Sequence, residues 1–188
     1  MIIRHQSDLA VSRWSGGTTT ELFLYPEASS YAERNFSIRI STATVETERS
    51  EFTLLPGYQR SLMVLKGGLT MVHDTGEGTL RHDMKPFQTV EFDGGWKTTG
   101  TGKVTDFNVM LGEGYSSEVK VIVIGKNEEQ TVSVDSLFVV IFTISGKLSA
   151  GPEHLSAGSV VVLENRESLA LAAGEDAVLI CVTVRRAV

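Results

Sequence analysis

Val64-Leu65-Lys66-Gly67-Gly68-Leu69-Thr70 compresses an apolar strand, a glycine turn and the start of a second strand into seven residues. The same pattern returns as Thr143-Ile144-Ser145-Gly146-Lys147-Leu148-Ser149. Downstream of each copy the echo continues. Lys85-Pro86-Phe87-Gln88-Thr89-Val90-Glu91-Phe92 resembles Ala157-Gly158-Ser159-Val160-Val161-Val162-Leu163-Glu164, and Asp106-Phe107-Asn108-Val109-Met110 answers to the segment around Leu179 to Thr183. Self-similarity of this kind marks a duplicated structural unit, here with longer loops in the first copy.

Outward from the repeat, the period is two. In Phe36 to Val45, Phe36, Ile38 and Ile40 fall on one face while Ser37, Arg39 and Ser41 fall on the other. Further short strands are separated by turn signals such as Leu55-Pro56-Gly57, Asp93-Gly94-Gly95 and Gly100-Thr101-Gly102. The chain of 188 residues holds 21 Val, 9 Ile and 18 Thr against 11 Ala, a balance that favours pleated strands and restricts helices at χ1. No stretch of twelve residues reads as an amphipathic helix. The expected fold is all-β: a bicupin, with two double-stranded β-helix (jelly-roll-like) barrels in one chain. Residues 1–112 are expected to form an N-terminal cupin barrel with a pocket. Residues 113–188 are expected to form linker strands and a C-terminal cupin barrel, the two packed as one compact unit.

Differences between the copies locate the chemistry. The second closing strand, Val178-Leu179-Ile180-Cys181-Val182-Thr183-Val184, is nearly all apolar, whereas the first carries Asp106 and Asn108 on one face with Phe107 and Val109 opposite. A carboxylate and an amide inside a strand are costly to desolvate unless they meet partners or solvent. Arg39 and Ser41 on one strand, and Arg60 after the Pro56-Gly57 turn, offer two cations and a hydroxyl that would satisfy Asp106 in a pocket. Asp106 is then expected to orient Arg39 or Arg60, and the arginine pair suits planar, bidentate recognition of a carboxylate. Trp14 reads either as a pocket wall or as rim packing. The Gly16-Gly17-Thr18 turn reads either as backbone N–H groups facing an anion or as a plain turn before a strand.

Several function classes are disfavoured. A formal charge of −6 and no basic cluster beyond Arg185-Arg186 leave no electrostatic footprint for nucleic acid. The longest apolar run, Leu137 to Ile144, is far short of the ~20 residues that span a bilayer. The N-terminus carries Arg4, His5, Asp8 and Arg13 without the apolar stretch of a secretory signal, so cytoplasmic residence is expected. Cys181 is alone and lies in an apolar run, as a buried inert thiol does. A metal site is not expected: His5, His73, His82 and His154 form no H-x-H pair, and His73 and His82, flanking the Gly76 to Gly78 turn, could meet across a hairpin but read rather as solvated loop side chains. No cofactor is implied.

Trp14-Ser15-Gly16-Gly17-Thr18-Thr19-Thr20-Glu21-Leu22, the Arg39-Ile40-Ser41 strand, Leu55-Pro56-Gly57-Tyr58-Gln59-Arg60 and Asp106-Phe107-Asn108-Val109-Met110 together resemble the successive signature segments of the HutD/Ves family. The resemblance is close over about Arg13 to Met110. One departure is visible: the family often has Trp-Lys-Asn-Gly-Gly near its start, whereas here Trp14-Ser15 runs directly into Gly16-Gly17, so no role of a lysine carries over. The resemblance implies a bicupin, a bacterial cytosolic protein, and a part in modulating histidine utilisation or a related stress or catabolic pathway. It implies no established catalytic activity. As partner it implies a small acidic metabolite such as urocanate or formiminoglutamate.

The residues therefore point to ligand binding through Arg39, Ser41, Arg60, Asp106, Asn108, Trp14 and Thr18, in a monomer or homodimer, more than to catalysis. The competing enzyme is a metal-free isomerase, lyase or hydrolase acting on a small carboxylic acid, with Asp106 or Glu21 as general base if burial raises its pKa. A scaffold that pairs with a protein through its strand edges is the third class.

Overall fold

A computed structural model describes residues 1–164 and 167–187. The chain divides into two units, one of residues 10–113 and one of residues 1–9 with 114–188. Apart from a 3₁₀ turn at Gln6–Asp8, the regular structure among the described residues is β-strand. Strand β1 (Ile2–Arg4) belongs to the second unit. The first unit contains β2 (Val11–Trp14), β3 (Gly17–Tyr25), β4 (Ile38–Val45), β5 (Arg49–Glu51), β6 (Gln59–Gly67), β7 (Leu69–Asp74), β8 (Thr79–Met84), β9 (Thr89–Asp93), β10 (Lys97–Thr101) and β11 (Val104–Leu111). The second continues with β12 (Tyr115–Ile124), β13 (Glu129–Ser133), β14 (Phe138–Ser145), β15 (Leu148–Ala150), β16 (Glu153–Leu155), β17 (Val160–Glu164), β18 (Ser168–Ala173) and β19 (Ala177–Arg186).

Each unit is a sandwich of two antiparallel sheets, and the strand orders correspond. In the first unit the sheets run β2-β3-β4-β11-β6-β9 and β5-β10-β7-β8. In the second they run β12-β19-β14-β17-β1 and β13-β18-β15-β16. Setting aside β1, β2 and β3, every strand of β4 to β11 has its counterpart in β12 to β19, in the same order and the same sheet. The duplication read from the glycine turn therefore extends to the topology. Alternating apolar residues fill each sandwich: Leu62, Val64, Leu69, Met71, Met84, Val90 and Phe92 in the first, and Val139, Ile141, Leu148, Leu155, Leu171 and Leu179 in the second.

Two expectations are corrected. Residues 1–9 are not part of the first barrel: Ile2, Ile3 and Arg4 pair with Val162, Val161 and Val160 of β17, and Ile3 packs on the second core. The Met1 ammonium also pairs with Glu167. The segment after residue 112, expected as linker strands, belongs instead to the large sheet of the second unit. Its alternating Val119, Val121 and Val123 belong to the ten-residue β12, which pairs with β19 from Tyr115 onward. No helix of the described residues is long and apolar enough to cross a membrane.

The repeated glycines sit where the chain leaves the large sheet for the small one. Gly67 has φ 87° and Gly146 has φ 92°, a region costly for any side chain with a Cβ. A Cβ on Gly67 would lie 2.4 Å from the Lys103 carbonyl oxygen, and one on Gly146 would lie 2.6 Å from the Ala177 Cα. Just before each glycine the ladder shifts register, opposite Thr105/Asp106 in the first copy and between Thr143 and Ser145 in the second. Gly67→Ala and Gly146→Ala are each expected to cost at least about 1–3 kcal/mol, read as a Tm lowered by several degrees in thermal melts. An unchanged melt for either would show that the crossing does not depend on glycine.

Candidate functional site

Register builds the site. On β11, Met110 stands opposite Arg39 of β4 on one side and Arg60 of β6 on the other, so the two arginines lie in one row across the sheet. Asn108 stands opposite Ser41 in the next row on that face, and Asp106 opposite Ala43 in the one after. Period two turns all of them to the same face, while Phe107 and Val109 are buried on the other. Together they line a cavity of about 300 Å³ in the first unit, with Trp14, Thr19, Tyr31, Phe52 and Glu51 completing its wall.

The polar groups that the large sheet contributes from β4, β6 and β11 are withdrawn from solvent. Arg39 and Arg60 are each 5% exposed, Asp106 4% and Asn108 5%. Each guanidinium lies against aromatic rings: Arg39 Cζ is 4.2 Å from the Tyr31 ring centroid, and Arg60 Cζ is 5.1 Å and 5.0 Å from those of Phe52 and Phe92. Such contacts strengthen as water is removed. Arg39 also has a carboxylate partner, since its Nε donates to Glu21 Oε2 at 3.0 Å and its Nη1 to Ser41 Oγ at 3.2 Å. Arg60 does not. Its Nη1 donates to the Thr53 carbonyl at 3.5 Å, and its buried Nε has no hydrogen-bond partner; the same holds for the buried Asn108 Oδ1.

Burial shifts the titrating groups. Desolvation raises the Asp106 carboxyl to about 7, opposed in part by the charge of Arg60 and a backbone hydrogen bond from Ala43. Desolvation also lowers the Arg60 guanidinium to about 10; Arg39 pushes it further down, while Tyr31 and Asp106 push it up. Arg60 is thus a cation at neutral pH, in the same cavity as a carboxyl whose burial favours the protonated form.

The structure brings Arg39, Ser41, Arg60, Asp106, Asn108 and Trp14 together around the cavity, Trp14 at 41% exposure on its rim. Thr18 is not in the wall. Alternation along β3 gives that place to Thr19. The expected ion pair of Asp106 with an arginine is also absent: among the described residues none joins Asp106 to Arg39 or Arg60 within 4.0 Å. The reason is spacing, because Asp106 lies four residues, roughly 13 Å of strand, from the arginine row. Glu21 partners Arg39 instead. The Gly16-Gly17 turn serves packing, since the Trp14 indole lies where a Gly16 Cβ would be and the Thr44 carbonyl where a Gly17 Cβ would be.

His73 and His82 are not loop residues. They lie on β7 and β8, with rings 5.4 Å apart. His73 is fully buried, its Nδ1 2.8 Å from Thr98 Oγ1, and desolvation holds its pKa below the ordinary value, with the charges of His82 and Arg60 acting the same way. Among the described residues no three His, Cys, Asp or Glu side chains gather as a metal would require. The cavity wall, with two guanidiniums, suits an anion rather than a cation.

Asp106 predicts a pH dependence of stability. Its pKa rises from 3.8 to about 7 on folding, so the folded state holds the proton more tightly. Stability from this group is complete below about pH 4, declines as pH rises, and is lost above about 7. The decline amounts to roughly 4 kcal/mol across that window. Asp106→Asn should remove it, so chemical denaturation at pH 5 and pH 8 should bring the variant's stability closer to, or above, that of the parent at the higher pH. Parallel behaviour of the two proteins would contradict the assignment.

Comparison with known proteins follows the same outline. HutD from Pseudomonas fluorescens SBW25, in a formate condition, superposes with a TM-score of 0.77 at 19% identity, covering 100% of this chain and 99% of that one. A conserved protein of unknown function from Pseudomonas aeruginosa PAO1 gives a TM-score of 0.80 at 20% identity, covering 100% and 99%. Oxalate decarboxylase from Bacillus subtilis, described with Mn(II) centres, gives 0.74 at 8% identity, covering 100% of this chain and 78% of that one. At these identities the likeness establishes the fold, an all-β architecture with cupin-like neighbours. The family model of HutD matches residues 6–181, and the chain belongs to the HutD family.

Proposed function

We propose that the chain is a bicupin whose N-terminal barrel binds a small acidic metabolite and thereby modulates histidine utilisation or a related catabolic or stress pathway in the bacterial cytoplasm. The observation that carries this reading is the row Arg39-Met110-Arg60, itself withdrawn from solvent, on the wall of a cavity in the first of two like sandwiches. Arg60 receives the carboxylate, because no carboxylate pairs with it within 4.0 Å among the described residues, whereas Arg39 is already matched by Glu21. Ser41 and Asn108 offer neutral hydrogen bonds between the arginines and Asp106, and Trp14 borders the entrance. Urocanate and formiminoglutamate enter as ligands from the family resemblance. The Mn(II) of oxalate decarboxylase is not carried over, since among the described residues no three His, Cys, Asp or Glu side chains gather to hold a divalent ion.

A second reading rests on Asp106. A buried carboxyl near pH 7 is poised for general acid and base work, so a metal-free enzyme acting on the same acid uses the same geometry. Calorimetric titration with urocanate and formiminoglutamate, with chromatography of the incubated ligand, separates the readings. Binding without product supports the regulator, product supports the enzyme, and neither leaves a scaffold. Arg60→Gln should weaken binding by about 1.5–3 kcal/mol, roughly ten to over a hundredfold. Arg39→Gln should weaken it less, because Glu21 already offsets that charge. Equal affinity of Arg60→Gln and the parent protein would remove Arg60 from the site.

A further inference from the structure

We propose that Asp106 meets the bound acid in its protonated form, as a hydrogen-bond donor, so that the cavity takes up one proton with each anion it binds. This rests on the reading of the cavity as an anion site. The geometry starts from charge placement. Asp106 lines the same small cavity as the arginine row, yet is too far along β11 to pair with either guanidinium. An anion received by Arg60 therefore occupies the space between that guanidinium and the Asp106 carboxyl. With Asp106 ionised, the two like charges would face each other at low dielectric, a repulsion that the neutral groups of Ser41 and Asn108 do not cancel. A protonated Asp106 removes the repulsion and adds an O–H donor that the carboxylate form lacks.

The surrounding groups leave that proton to Asp106. Arg60 on β6 and Arg39 on β4 are cations, and Tyr31 covers Arg39 from the loop before β4. Glu21 on β3 is engaged by Arg39, and Glu51 lies on the exposed β5. His73, on β7, contacts Phe92, whose ring lies against Arg60; its burial disfavours the charged imidazolium. In the free protein Asp106 is protonated below about 7 and ionised above. Proton uptake on binding is thus close to zero at pH 5.5 and approaches one at pH 8.5, and apparent affinity falls about tenfold per pH unit above 7.

The test is calorimetry with a series of carboxylates from acetate to adipate, at pH 5.5 and 8.5, in two buffers of different ionisation enthalpy, on the full chain and on Asp106→Asn. The buffer dependence of the heat counts protons directly. Expected are nearly one proton taken up at pH 8.5 by the parent protein, none by Asp106→Asn, and, once the ligand's own ionisation at pH 5.5 is allowed for, an affinity of the variant that no longer varies with pH, since asparagine keeps a donor but cannot titrate. Binding without proton uptake in the parent, or uptake that persists in Asp106→Asn, overturns the proposal while leaving the anion site standing. No binding of any carboxylate at either pH overturns the anion site itself. Circular dichroism of the variant at both pH values guards against a folding defect, and the proton count of the parent protein decides the matter without it.

Discussion

Antiparallel pairing of β4, β11 and β6 fixes Arg39, Met110 and Arg60 in one row, and the polar cavity follows from that register. A slip by one residue would send every side chain of the slipped strand to the opposite face. Burying two guanidiniums is tolerable because each lies against aromatic rings and Arg39 has a carboxylate besides. Arg60, whose Nε remains without a partner, keeps unspent hydrogen-bonding capacity in a desolvated place. That is the condition under which an incoming anion gains most from a charged contact.

The duplicated sandwich supplies an internal control. By register, the counterparts of Asp106, Asn108 and Arg60 are Leu179, Cys181 and Val139, all buried in the apolar core of the second unit. The counterparts of Arg39 and Ser41 are Glu118 and Lys120, an exposed ion pair. The same backbone thus holds a filled core in one copy and a polar cavity in the other. Apolar side chains at these positions complete the packing, whereas polar ones leave Arg60 Nε and Asn108 Oδ1 buried without a hydrogen-bond partner.

Much of this was legible in the sequence, because period two and a glycine turn are local signals. Asp106 and Asn108 share a face by alternation alone, and Gly67 with Gly146 announced the repeat. Alternation also contained the burial of His73, which follows Leu69 and Met71 on one face of β7, but the nearby glycine turn drew the reading toward a loop. Other features depend on distance in the chain. Glu21 reaches Arg39 just before a register shift in β3, and Tyr31 covers it from an irregular segment that has no periodicity to read. Lys97–Thr101 is a strand despite Gly100 because it pairs with β5 and β7, and Leu69, Phe52 and Ser50 leave little room for a Cβ there, tertiary constraints invisible in a local window. β1 lies in the second unit for a similar reason: its partner β17 is far along the chain.

The central claim is that the first unit's arginine row receives the carboxylate of a small acid. A crystal structure of the chain grown with urocanate tests it most directly. The account predicts the carboxylate within hydrogen-bonding distance of the Arg60 guanidinium, inside the cavity formed by residues 10–113, with Asp106 close enough to donate to the ligand. Urocanate ordered in the unit of residues 114–188, or held at the protein surface with Arg60 untouched, would contradict it.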